Sequence, residues 1–128
     1  GTVRVAGQLY SDPEVARAAD ITIVMAEEIV PEEYLRRHAD QNTIPTFEVD
    51  YILECPFGGH PTGMFGKYDV DGAFLKDFYT KTRTQEGFDA FAQEWIFGMD
   101  HLGYLEKLGW PRMLNLRANT ALNYRPRK

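Results

Sequence analysis

Two short apolar runs, Ile21–Ala26 and Val49–Cys55, separated by a stretch with helical character, constrain this chain most. Ile21-Thr22-Ile23-Val24-Met25-Ala26 is almost continuously apolar and of strand length, the pattern of a strand covered on both faces in a parallel sheet. Pro31-Glu32-Glu33 opens a helix running to about His38, because proline suits the first helical position and acids suit the first turn. Strand–helix–strand order implies a right-handed parallel crossover. Thr2–Ala6 alternates and is β-branched, so a further short strand is expected there. Ser11-Asp12-Pro13-Glu14 reads as a helix start with Asp12 as the cap. The expected class is α/β: an open, mostly parallel sheet with flanking helices, followed by a helical C-terminal region.

The second run empties into a loop rich in glycine. Gly58, Gly59, Gly63 and Gly66 surround His60 and Pro61. Such a loop at a strand end lets the backbone turn sharply and lets a ligand approach its N–H groups. Gly58, Gly59, His60, Pro61, Thr62 and Gly63 are therefore the candidate substrate-binding residues. His60 could contact an acyl carboxylate or carbonyl, but a lone histidine reads first as a ring that holds the loop by a hydrogen bond to backbone. Beyond the loop, Asp71 is placed to cap a helix with Phe74, Leu75 and Phe78 on its apolar face. Thr84 starts another, carrying Phe88, Phe91 and Trp95 as packing residues. Leu102, Leu105 and Leu108 form a last face, stopped by Gly109 and Pro111.

Charge is unevenly spread over the 128 residues. Residues 1–111 hold nine basic against nineteen acidic side chains, while residues 112–128 hold five basic and none acidic. An acidic body does not suit nucleic acid, and the basic segment also carries Met113, Leu114, Leu116, Leu122 and Tyr124. The expected division is an α/β domain over 1–111 and a basic tail over 112–128, the tail lying on an acidic surface or on a partner chain. No apolar stretch has membrane-spanning length. The single cysteine, Cys55, suits a reducing, cytoplasmic setting and reads as a small buried hydrophobe. His38 and His101 stand apart from any ligand cluster, so no metal site is expected. Glu27 and Glu28, adjacent on a strand, face opposite sides and cannot act on one atom; one of them is expected to form an ion pair or hydrogen bond. Glu54 reads as an interface residue.

Taken in order, Val24-Met25-Ala26-Glu27-Glu28-Ile29-Val30, Ile44-Pro45, Val49-Asp50, Glu54-Cys55-Pro56-Phe57-Gly58-Gly59-His60-Pro61-Thr62-Gly63 and Tyr68-Asp69-Val70-Asp71 closely resemble the C-terminal half of the α subunit of family I coenzyme A transferases, nearest the glutaconate CoA-transferase branch. The resemblance covers roughly residues 1–108 and rests on several separated motifs in the right order. It implies part of an α subunit in a hetero-oligomer. The partners it implies are a β subunit carrying the nucleophilic glutamate and the N-terminal half of the α subunit with its acyl-CoA segment. This chain then holds no catalytic residue and no permanently bound cofactor; a coenzyme A thioester is the substrate of a ping-pong transfer to a carboxylic acid. Gly59 stands where the family commonly has Ala, Phe65 where it has Tyr, and Lys67 where it has an aromatic. These departures keep open an acyl-CoA or cyclic-CoA-ester hydrolase on the same scaffold, and the family's catalytic segments, absent from these residues, keep open a non-catalytic partner-binding module.

Overall fold

A computed structural model describes residues 1–126. Arg127 and Lys128, the end of the expected basic tail, lie outside the described residues. Two compact units divide the chain, residues 1–58 and residues 59 onward.

The first unit contains α1 (Asp12–Ala18), β1 (Ile23–Ala26), α2 (Glu32–Arg37) and β2 (Tyr51–Glu54). The strands pair in parallel, with Ile23 opposite Tyr51 and Ala26 opposite Glu54. The ladder continues past β2, where Cys55 donates its N–H to Ala26 O at 2.7 Å. Period-two alternation sends Val24 and Ile52 to a half-buried face. Ile23, Met25, Tyr51 and Leu53, on the other face, are each more than half exposed.

The strand expected at Thr2–Ala6 is not formed. Only Val3 makes a β-bridge, antiparallel to Ile44. The next backbone donor, Val5 N–H, goes to the Thr43 hydroxyl at 3.0 Å instead of to a neighbouring strand. Arg4 is committed to the end of α2, where its guanidinium donates to Leu35 O, His38 O and Asn42 Oδ1. The cap of α1 also differs by one residue. Ser11 occupies the cap position without a side-chain bond, and the Asp12 carboxylate turns back to accept Tyr10 N–H at 3.2 Å.

The second unit is helical: α3 (Gly72–Lys81), α4 (Gln85–Trp95), α5 (His101–Leu108) and α6 (Trp110–Leu116). Asp71 caps α3 by accepting Phe74 N–H, and Thr84 caps α4 by accepting Gly87 N–H, as their sequence positions predict. The α3–α4 corner has room only for glycine at 87, since a Cβ there would stand 2.0 Å from Lys81 O. Gly109 ends α5 at φ 84°. Pro111 does not terminate the helical region; it sits in the first turn of α6, where its missing N–H costs nothing. The expected boundary between residues 111 and 112 thus falls inside a helix.

The core of this unit is aromatic. Phe74 meets Phe91 at 5.8 Å and Trp95 at 4.8 Å between ring centres, and Trp95 meets Tyr104 at 6.0 Å, mostly edge to face. Edge-to-face contact aligns the positive ring edge with the negative face of the neighbour. Leu108, Met113 and Leu116 complete the buried set. Of the stripe predicted to pack, Phe91 is buried, Trp95 half-buried and Phe88 exposed. Among the described residues no helix is long and apolar enough to cross a membrane.

Candidate functional site

The exit from β2 is a tight turn in the first unit. Phe57 adopts φ 59°, unusual for a residue with a side chain. Gly58 donates its N–H to Cys55 O at 2.8 Å. A Cβ at Gly58 would lie 2.7 Å from that same oxygen, so the turn excludes other residues. Glu54 accepts Ile29 N–H through Oε1, Glu27 accepts Phe57 N–H, and Cys55 is half-buried.

The second unit opens with the remainder of the loop. Gly59 donates its N–H to the Tyr68 hydroxyl at 2.9 Å and accepts from both Thr62 N–H and the Thr62 hydroxyl. Pro61 follows a cis peptide bond, and its carbonyl accepts Asp71 N–H at 3.0 Å. Gly63 packs flat on the next segment, with Val70 N, Tyr68 O and Asp69 C all within 3.4 Å of where a Cβ would be. Thr62 and Gly63 are exposed. Beside them a small hollow of about 180 Å³ is lined by Gly63, Phe65, Tyr68, Asn123 and Tyr124, among others.

His60 points inward. Its side chain is completely buried and lies edge-on to Phe74. Nδ1 is 2.5 Å from the Tyr104 hydroxyl, and Nε2 is 3.2 Å from Asp71 Oδ2. Asp71 is the hub of this network. It also accepts Phe74 N–H at 2.9 Å and a two-pronged contact from Arg112, through Nε to Oδ2 and through Nη2 to Oδ1 at 3.1 Å.

The protonation states follow from these contacts. Burial alone would raise the Asp71 carboxyl, but Arg112, the Phe74 N–H and His60 together outweigh it and hold the group far below the usual carboxylate range. Asp71 is therefore ionised and can only accept. Burial pushes His60 below its ordinary value, more strongly than Asp71 draws it up. A neutral His60 must then donate Nε2–H to Asp71 and accept the Tyr104 O–H at Nδ1. Tyr104 keeps that proton, since burial and then the Asp71 charge push it up to about 12.

Four residues thus meet, and sequence reasoning points to two of them. His60 stands out by its glycine-rich setting, and Asp71 reads as a helix cap only. Charge alone places Arg112 in a basic tail, and nothing in the pattern marks Tyr104. Arg112 and Tyr104 lie 41 and 44 residues from Asp71 and His60 respectively, and no local spacing announces such distant partners. No group of three or more His, Cys, Asp or Glu able to hold a metal occurs among the described residues.

Parallel strands joined through a helix, with a glycine-rich turn at their carboxyl ends, define an α/β domain of the kind that takes ligands at that edge. No protein-family model matches the chain, but individual relatives do. It is 45% identical to the α subunit of glutaconate CoA-transferase from Acidaminococcus fermentans over 125 residues, which cover 97% of this chain and 39% of that protein. It is 33% identical over 98 residues to the α subunit of 3-oxoadipate CoA-transferase from Pseudomonas knackmussii, covering 77% of this chain and 34% of that one. The crystal structure of the A. fermentans glutaconate coenzyme A-transferase superposes with a TM-score of 0.93 at 44% identity, over 99% of this chain and 40% of that chain. The chain is thus a homologue of CoA-transferase α subunits and has the CoA-transferase fold. It spans about two-fifths or less of the length of these relatives.

Proposed function

We propose that this chain is part of the α subunit of a cytoplasmic, heteromeric CoA-transferase. Its task is to wall an acyl-CoA site whose reactive glutamate resides on a β subunit. The observation that carries this reading is the 45% identity to the α subunit of glutaconate CoA-transferase along nearly the whole chain. The uncovered apolar sheet face supports it as well. A parallel sheet is normally covered on both faces, and Ile23, Met25, Tyr51 and Leu53 await a cover that the N-terminal half of the α subunit would supply.

In the reaction, the partner's carboxylate attacks the thioester carbonyl and expels CoA thiolate, leaving a mixed anhydride. The thiolate then attacks the glutamyl carbonyl of that anhydride. This frees the donor acid and forms a glutamyl–CoA thioester, from which an acceptor carboxylate takes CoA by the reverse steps. Each addition builds negative charge on a carbonyl oxygen, which fixed N–H donors stabilise. Gly58, Gly59, His60, Pro61, Thr62 and Gly63 form the contact segment for the acyl-CoA. Exposed Thr62 and Gly63 meet the ligand directly. His60 contributes through its peptide, because its ring nitrogens already face Tyr104 and Asp71. Both CoA-transferase relatives are named for dicarboxylates, and a dicarboxylic acyl group is the substrate class proposed here.

The complete α subunit, co-expressed with its β partner, is expected to move CoA from an acyl-CoA to a free dicarboxylate. Release of free CoA and acid with oxygen from labelled water, independent of any acceptor, would replace transfer with hydrolysis. No thioester turnover by the assembled pair would leave only a binding role.

A further inference from the structure

Two carboxylates at the ends of the parallel strands cross to each other's exit. Glu54, closing β2, accepts the N–H of Ile29 beyond β1 at 3.2 Å. Glu27, just past β1, accepts the N–H of Phe57 beyond β2 at 2.9 Å. The second bond stands on an unusual backbone. Phe57 is bulky and left-handed at φ 59°, a conformation that persists in such a residue only when its surroundings hold it. The next residue, Gly58, has no space for a side chain against Cys55 O. A strained residue, its amide fixed by a half-buried carboxylate from the neighbouring strand, therefore precedes an obligatory glycine. All of this lies at the carboxyl edge of a parallel sheet, where α/β folds take ligands.

We propose that Glu27 is a positioning residue for the acyl-CoA site: its carboxylate holds the left-handed turn at Phe57 and thereby places Gly58 for the ligand. This rests on the reading that Gly58–Gly63 contacts the acyl-CoA. A purely structural carboxylate would affect folding alone; a positioning one alters substrate affinity and can be replaced by relieving the strain it holds.

The test uses the complete α subunit in complex with β. Glu27→Gln keeps an oxygen acceptor at the same reach and should leave KM for the acyl-CoA within about threefold of the parent, a shift smaller than one lost hydrogen bond gives. Glu27→Met keeps the volume but not the acceptor. It should raise that KM about tenfold, the scale of one lost hydrogen bond, with a smaller change in kcat, because the reactive glutamate is on the other chain. It should also speed exchange of the Phe57 amide. Adding Phe57→Gly to Glu27→Met should restore KM, since glycine enters the left-handed region without help. A Met variant with unchanged KM, or no recovery in the double variant, would overturn the proposal. Should Glu27→Met assemble poorly, the double variant is compared with Phe57→Gly alone: equal KM supports the tie, and a higher KM in the double variant refutes it. Absence of CoA transfer by the parent enzyme would instead refute the functional reading. The tie itself is then judged by Phe57 amide exchange, where identical rates in parent and Met variant would remove it.

Discussion

Replacing Asp71 by alanine removes the hub of the buried network. Three losses are incurred. The cap of α3 disappears, at about 1 kcal/mol. The Nε2–H of a completely buried His60 loses its acceptor, costing about 1–3 kcal/mol. The Arg112 contact is worth at most about 1 kcal/mol because the arginine side chain is 36% exposed and solvent screens it. A total of about 2–5 kcal/mol is expected, overlapping the range found when one member of a buried pair is deleted. Native-state hydrogen exchange of the α3 amides reads this locally, without requiring the whole molecule to unfold in one step. Exchange should accelerate by roughly one and a half to three and a half orders of magnitude, tenfold for every 1.4 kcal/mol or so. Asp71→Asn, which keeps one acceptor oxygen but no charge, should fall between. Acceleration of less than about tenfold in the alanine variant would mean that the network is solvated in solution, and the protonation states derived from its burial would be wrong.

The second unit should lose stability as pH falls below the ordinary histidine value of about 6.5. His60 is depressed in the fold, so the unfolded chain binds more protons there. The stabilisation is complete above the unfolded pKa and is lost as pH drops toward the folded one; Asp71, held well below the usual carboxylate range, adds a second loss below about pH 4. At the alkaline end Tyr104, raised to about 12, contributes fully below its unfolded pKa of about 10 and loses that contribution as pH rises through its folded value. Urea midpoints against pH check both limbs, and a flat profile from pH 7 to 5 would contradict the acid one. Gly87→Ala should destabilise by about 1–3 kcal/mol through collision with Lys81 O. Helix propensity alone predicts a gain of up to about 1 kcal/mol, so the sign of the change in thermal midpoint decides.

Sequence pattern carries the local features well. The two parallel strands, the caps at Asp71 and Thr84 and the turn glycines follow from residue type and spacing, because each depends on neighbours a few positions away. The failures have the same physical origin. The alternation at Thr2–Ala6 resembles a strand, yet a strand needs a continuous partner ladder; the Thr43 side chain and the duties of Arg4 interrupt it. Pro111 reads as a stop or a start depending on the conformation of Gly109 before it, whose φ of 84° sequence does not disclose. Charge groups Arg112 with the other basic residues near the C-terminus, whereas its position on α6 opposite Asp71 is a product of tertiary packing.

The same network bears on where the chemistry resides. A general acid or base works best with a pKa near the operating pH. Here every shift leads away from neutrality: Asp71 is driven down, Tyr104 is driven up to about 12, and His60 is driven below its usual value. Each group is locked into one protonation state, and each polar contact goes to another member or to the first turn of α3. Such an arrangement fixes the base of the glycine loop without exchanging protons with a substrate. A loop anchored in this way is also tied from within, Gly59 donating its N–H to the Tyr68 hydroxyl and Thr62 donating its N–H to Gly59 O. On the reading proposed above, the part of these four residues is to hold a wall of the acyl-CoA site in place.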